Sequence, residues 1–308
     1  MAGFTQGTPR VLVYSATAGY RHESIPVAID SFKRLGPQYG IEFDFTEDKT
    51  WFNETGLAVY DCILFLSNSD EVLDEPGKEA FDAYLEKGGN FVGVHAASAC
   101  LFTTQFFGQE LGAWFDYHPA IQNATIVVLD PTHPSTAMLP ARWEVYDEMY
   151  NFKSDPRAVG AKVILTVDES SYVDNGTRLY DQGTPHPIAW YQDVGAAYTG
   201  NVSGSSGGRS WYTSLGHTND TWQNATYLSH VMEGLKWALE SNTTRAFNPQ
   251  GLVGNAAGAA NTTTGGSSAT GAQTAAPSAS GSHSGAKQVA AGVVGAGMVA
   301  AAVGAALV

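Results

Sequence analysis

The stretch Lys87-Gly88-Gly89-Asn90-Phe91-Val92-Gly93-Val94-His95-Ala96-Ala97-Ser98 leaves this chain few folds to choose from. Gly88-Gly89 can take the left-handed backbone that closes a helix, and residues 91–94 form a short apolar run suited to a strand buried on both faces. His95 then stands at the carboxyl end of that strand, the edge where open α/β sheets bind their ligands. Small residues on either side, Gly93 and Ala96-Ala97, give the turn the shape of a nucleophile elbow with a histidine in the nucleophile's place. The plainer alternative is a core histidine at a strand end.

The flanking sequence supports a parallel sheet. Residues 11–14 and 61–66 are continuous apolar runs, and residues 41–45 alternate. Ile25, Ala28, Ile29, Phe32 and Leu35 recur at helical spacing, with Gly36-Pro37 expected to end or break that helix, and a second amphipathic helix is predicted over 74–87. Loops 17–22, 67–70 and 95–98 should converge on one sheet edge. After a helix over 103–115 the pattern changes. Strands at 124–129, 163–167, 187–191 and 210–215 read as antiparallel additions, and a last helix over 225–239 places Leu228, Met232, Leu235 and Leu239 on one face.

Six histidines, His22, His95, His118, His133, His186 and His217, fall at predicted loop or strand ends. Three precede proline, and the bland reading is that each of those rings braces a rigid turn. His22, His95, His186 and His217 are the stronger pocket candidates. Histidine suits acid–base work near neutral pH, and Asp147-Glu148 and Asp168-Glu169 add carboxylates, of which a strand would aim only one per pair at a site. There is no His-Glu-X-X-His or Cys-X-X-Cys, so a divalent metal would need ligands gathered by the fold alone; hydrogen-bonded sugar is the preferred occupant, without a cofactor. Gly207-Gly208-Arg209 leads into a strand that ends on Gly216-His217, repeating the logic of the opening stretch. Trp114, Trp190, Trp211 and Tyr212 offer flat faces that sugar rings stack against, or that simply pack in a core. The Gly/Ser-rich loop 203–208 lacks lysine and precedes a strand, so it makes no phosphate cradle.

Composition sets the outer bounds. A net charge of -14, from 16 Lys and Arg against 30 Asp and Glu, argues against a nucleic-acid partner. Residues 8–245 read as one globular domain, 246–288 as a disordered Ala/Gly/Ser/Thr stalk, and 289–308 as an apolar tail. Small residues Ser278-Ala279-Ser280, a polar spacer and that tail have the layout of a GPI-anchor signal; a membrane-spanning tail and plain low complexity are the rivals. Asn-X-Ser/Thr acceptors at Asn53, Asn123, Asn175, Asn201, Asn219, Asn224, Asn242 and Asn261 fit a glycosylated cell-surface protein. The amino end shows no leader, which implies a trimmed or missed signal peptide, or else a cytoplasmic protein with idle acceptors. Cys62 and Cys100 are expected to be unpaired.

Taken together, Tyr20-Arg21-His22-Glu23-Ser24, residues 89–98, Gly112-Ala113-Trp114-Phe115, His133-Pro134-Ser135-Thr136, Asp147-Glu148-Met149-Tyr150, His186-Pro187-Ile188-Ala189-Trp190 and residues 208–218 resemble the ThuA-like (trehalose-utilisation) family over about residues 10–240. The resemblance implies a flavodoxin-like sheet similar to class I glutamine amidotransferases and a link to carbohydrate metabolism. Those enzymes use a cysteine where His95 stands here, so glutamine hydrolysis is not expected. The site expected on these grounds has His22, His95, His217 and Glu148 as acid–base groups. His186, Trp114, Trp190, Tyr212, Asp147 and Arg209 would contact a small carbohydrate. His22 and His95 are placed there by topology, and His186 and His217 by the resemblance. A non-catalytic sugar-binding or structural surface glycoprotein is the alternative.

Overall fold

The computed structural model describes residues 7–255. In chain order its main elements are β1 (Arg10–Tyr14), α1 (Ile25–Tyr39), β2 (Glu42–Thr46), β3 (Cys62–Leu66), α2 (Glu75–Glu86), β4 (Asn90–Val94) and α3 (Gln105–Leu111). There follow β5 (Gln122–Val128), β6 (Arg142–Asp147), β7 (Lys162–Val167), β8 (Pro187–Gln192), β9 (Ser210–Thr213) and α4 (Ala225–Leu239). The nine strands form one sheet in the order β2-β1-β3-β4-β9-β8-β7-β5-β6. β2, β1, β3, β4 and β9 are parallel, in the order that flavodoxin-like sheets use. β8, β7, β5 and β6 then pair antiparallel in turn. The fold is thus α/β, with a parallel core and antiparallel additions.

Strand alternation sorts the core onto two faces. Val11, Val13, Leu64, Val92 and Trp211 pack with α1 and α4 through Ala28, Phe32, Val231 and Leu235. Leu12, Tyr14, Phe65, Phe91 and Tyr212 pack with α2 and α3 through Phe81, Leu85, Phe107 and Leu111. β3 and β4 are buried along their whole lengths, which is why they read as continuous apolar runs. α2 starts on Asp74, whose side chain accepts the Gly77 N–H, and ends at Gly88 with φ +94°.

The structure departs from the expectations in four places. The 210–213 strand is not an antiparallel addition: it lies inside the sheet, parallel to β4. α1 runs through Gly36-Pro37 to Tyr39, because a proline in the last turn forfeits a single backbone N–H and Gly40, at φ +66°, closes the helix. α3 stops at Leu111, since Gly112 takes φ +103°, and Phe115–Tyr117 then pairs with Asn151–Phe152. Finally, residues 246–255, assigned to the stalk by their composition, are packed on the domain. Ala246 and Val253 are buried, and Thr244 pairs with Val253. The buried Asp61 carboxylate accepts backbone N–H bonds from Arg10 at 2.8 Å, Ala246 at 3.2 Å and Asn255 at 3.4 Å. A carboxylate gripping backbone leaves no apolar signature, so composition could not show it. The rest of the stalk, 256–288, and the tail, 289–308, lie outside the described residues. Cys62 and Cys100 are free and buried, and among the described residues no helix is long and apolar enough to cross a membrane.

Glu110, at the end of α3, is buried where burial pushes its carboxyl up to about 8, and its one opposing contact is the Ala197 N–H at 3.3 Å. The folded state therefore keeps a proton that the unfolded chain releases between the usual carboxylate range and pH ~8, and stability falls as pH rises through that window. Glu110→Gln, which mimics the protonated group, should match the parent in urea unfolding near pH ~4 and exceed it by up to about 5 kcal/mol above pH ~8.

Candidate functional site

Four strand ends meet at one edge. β1 delivers His22, β4 delivers His95, β9 delivers His217 and β6 delivers Glu148. The loop carrying His22 is pinned by its neighbour: Ala18 N–H donates to the Ser69 carbonyl, and Ser69 Oγ donates to the Tyr20 carbonyl at 2.8 Å. His95 is the first residue after β4 and has φ +55°, a left-handed conformation that costs a non-glycine residue of order 1 kcal/mol. The Tyr212 hydroxyl holds that turn, donating to the His95 carbonyl at 2.8 Å and meeting Ser98 Oγ at 2.7 Å.

His95 Nδ1 lies 2.7 Å from the Ser214 carbonyl, which can only accept, so Nδ1 carries the hydrogen and Nε2 of the neutral ring presents its lone pair. Three groups face that lone pair: His22 Nε2 at 3.0 Å, the Tyr150 hydroxyl at 3.1 Å and Glu148 Oε2 at 3.7 Å. Glu148 is itself bracketed, with His217 Nδ1 3.0 Å from Oε2 and His118 Nε2 3.3 Å from Oε1. One ligand atom from each of His22, His95, Glu148 and His217 lies within 4.8 Å of all the others, close enough to share a metal ion.

Electrostatics separates the members. His95 is fully buried, and desolvation, aided by the neighbouring His22, holds it well below the ordinary imidazole value. Desolvation, then the charge of His217, pushes His22 down to about 4. His217 goes the other way, raised chiefly by its contact with Glu148. Behind the cluster Asp147 is buried and accepts N–H bonds from Gly216 at 2.9 Å, His217 at 3.3 Å and Glu148 at 2.9 Å. Burial pushes its carboxyl up to about 6 against those bonds. A cavity of about 320 Å³, lined by Tyr20, Glu23, Ser24, His217, Asn219 and Asp220, opens onto the His217 side of the cluster.

The structure thus brings His22, His95, His217 and Glu148 together and sets the other expected residues apart. His186 lies behind Tyr150, its Nε2 on the Tyr150 carbonyl at 2.8 Å and its Nδ1 on Glu169 at 3.0 Å. Trp190 and Tyr212 are buried in the core with ring centroids 4.5 Å apart, so neither offers a face to a sugar. Trp114 is half-buried over Gly108. Arg209 directly precedes β9 at the opposite edge of the sheet, where its guanidinium donates to the Trp237 carbonyl and covers that ring. Asp147 faces loop backbone instead of the cavity. His133 stacks on Tyr191, away from the cluster. Conversely, Tyr150 and His118 touch the cluster without having been singled out for it. Tyr150 stands two residues beyond Glu148, a spacing that brings extended side chains to one face.

The fold has counterparts among known proteins. A ThuA-like protein from Bacteroides uniformis is 22% identical, with a TM-score of 0.61 over 81% of this chain and 98% of its own. A ThuA-like protein from Parabacteroides merdae is 17% identical, with a TM-score of 0.56 over 75% and 90%. At these identities the likeness concerns the fold alone. No curated protein matches the chain. The family profile described as ThuA, trehalose utilisation, matches residues 10–238, and the chain belongs to that family.

Proposed function

We propose that this protein acts on a small carbohydrate, a disaccharide or a keto-sugar, at the carboxyl edge of its sheet, with histidines and Glu148 handling the protons. The observation that supports this most is the convergence of three histidines and one carboxylate, from four separate segments, beside a cavity of about 320 Å³. Buried polar groups in such number are costly unless they serve a ligand or one another. Membership of the trehalose-utilisation family supports the choice of a carbohydrate as substrate. A purely sugar-binding role is the alternative; with Trp190 and Tyr212 buried, Tyr20 at the cavity is the aromatic face it would use.

Purified protein assayed against disaccharides and keto-sugars should turn over at least one of them. Glu148→Gln and His217→Ala should lower kcat/KM by roughly 10²- to 10⁴-fold with sugar binding largely kept. Loss of binding in the same variants, with no turnover of any sugar by the parent, would instead make the domain a lectin-like module. Gly216→Ala tests whether the assembled geometry matters. Gly216 has φ +135°, and a Cβ there would lie 2.5 Å from Tyr227 Oη and 3.2 Å from His95 Cβ. That variant should lose turnover by about 10²-fold or more while touching no cavity-lining group.

We also propose that the protein is displayed at a cell surface through a GPI anchor and carries N-linked glycans. The tail layout supports the anchor. The seven acceptor asparagines within the described residues, from Asn53 to Asn242, are all exposed, as glycosylation requires. Expressed in a eukaryotic cell behind a signal peptide, the protein should be released by phosphatidylinositol-specific phospholipase. Retention with the tail still attached would indicate a membrane-spanning anchor.

A further inference from the structure

We infer that His22, His95, His217 and Glu148 bind a divalent first-row transition ion. The inference rests on the reading of this cluster as the active site, and it recasts the four groups as ligands of a Lewis acid that would polarise a sugar oxygen held by the cavity, with proton transfer left to groups outside the ligand set. The spacing is the first argument. Ligands about 2.0–2.1 Å from a tetrahedral ion lie roughly 3.4 Å from each other, and octahedral neighbours about 3 Å. Here the separations are 3.0 Å for His22 Nε2 to His95 Nε2, 3.0 Å for His217 Nδ1 to Glu148 Oε2 and 3.7 Å for His95 Nε2 to Glu148 Oε2. All four donors lie within 4.8 Å of one another, and the roughly 4.2 Å diameter of one coordination sphere is reached by a side-chain shift of about half an ångström.

The hydrogen-bond pattern is the second argument. His95 Nδ1 donates to the Ser214 carbonyl, the outer contact that metal-ligating histidines characteristically make, and it commits the Nε2 lone pair to the centre of the cluster. His22 Nε2 points at that same lone pair in a buried space. If both nitrogens lack hydrogen, two lone pairs oppose each other at 3.0 Å, a conflict that a cation removes. Preorganisation is the third. The left-handed turn at His95 is fixed by Tyr212, and the backbone of Glu148 and His217 by the single carboxylate of Asp147. Three imidazoles and one carboxylate suit zinc, iron, nickel or manganese, and lack the oxygen-rich set that magnesium and calcium demand. His118, one-third exposed and outside the ligand set, then remains beside Glu148 to move protons at the mouth.

Chelator-stripped full-length protein, dialysed against zinc, nickel, manganese or magnesium and analysed by elemental mass spectrometry, is the test. One ion per chain is expected with at least one of the transition metals and none with magnesium, together with a rise in Tm. Cobalt(II) should give visible absorption bands of a site of low coordination number. His217→Ala, at the half-buried residue that lines the cavity, and the near-isosteric Glu148→Gln should weaken binding by roughly 100-fold or more, whereas His118→Ala should leave the stoichiometry at one. Circular dichroism confirms that each variant is folded. No uptake by the parent, or uptake unaltered in folded His217→Ala and Glu148→Gln, overturns the inference. Sugar turnover by metal-free protein would refute the ion's role and leave the carbohydrate reading standing. Tight, ligand-dependent metal uptake with no turnover of any sugar would do the reverse.

Discussion

The site depends on one buried carboxylate. Asp147 ends β6, an edge strand, yet its side chain accepts the backbone N–H groups of Gly216 and His217, which follow β9 in the middle of the sheet, and of Glu148 beside it. Burying a carboxylate costs several kcal/mol unless hydrogen bonds offset it, and the three backbone donors here offset part of that cost, the carboxyl still being pushed up to about 6. The consequence is positional. His217 and Glu148 come from strands four places apart in the sheet, and they meet at 3.0 Å because their backbones hang from the same two oxygen atoms.

The second constraint is the turn after β4. An extended strand would carry His95 onward in line, but the left-handed φ at His95 reverses the chain into a short helical turn and leaves the imidazole at the meeting point. The cost of that conformation is offset by groups drawn from elsewhere: the Tyr212 hydroxyl on the His95 carbonyl and the Ser214 carbonyl on the ring. Tyr212 therefore serves the site from within the core, as a brace for the backbone and not as a surface for a sugar.

The parallel core was legible in the sequence because continuous apolar runs, glycine helix stops and helical periodicity are local signals, and β1, β3, β4 and α4 express them almost without distortion. β9 was legible as a strand but not in direction, since its place beside β4 depends on a pairing between residues over a hundred positions apart. In the site, His22 and His95 followed from the rule that loops after parallel strands share an edge. Glu148 was one of an adjacent pair, and the family resemblance, not topology, singled out His217. Tyr150 and His118 were missed because their role arises from the segment after β6 folding back along the edge, a path with no periodic signature. Trp190 and Tyr212 misled for the opposite reason: an aromatic residue looks the same in a sequence whether its face meets a ligand or another ring.

Asp61 sits at the start of β3, on the amino edge of the parallel strands, and there it holds Ala246 and Asn255. The chain thus leaves the domain from the end of the sheet opposite the histidines. The last described residues are fixed at the base of the sheet by Asp61 and the Thr244–Val253 pairing, away from the strand ends that carry the cluster. A load applied at Asn255 would first meet the backbone bonds to Asp61 and the Thr244–Val253 pairing, before any strand end that carries a cluster residue.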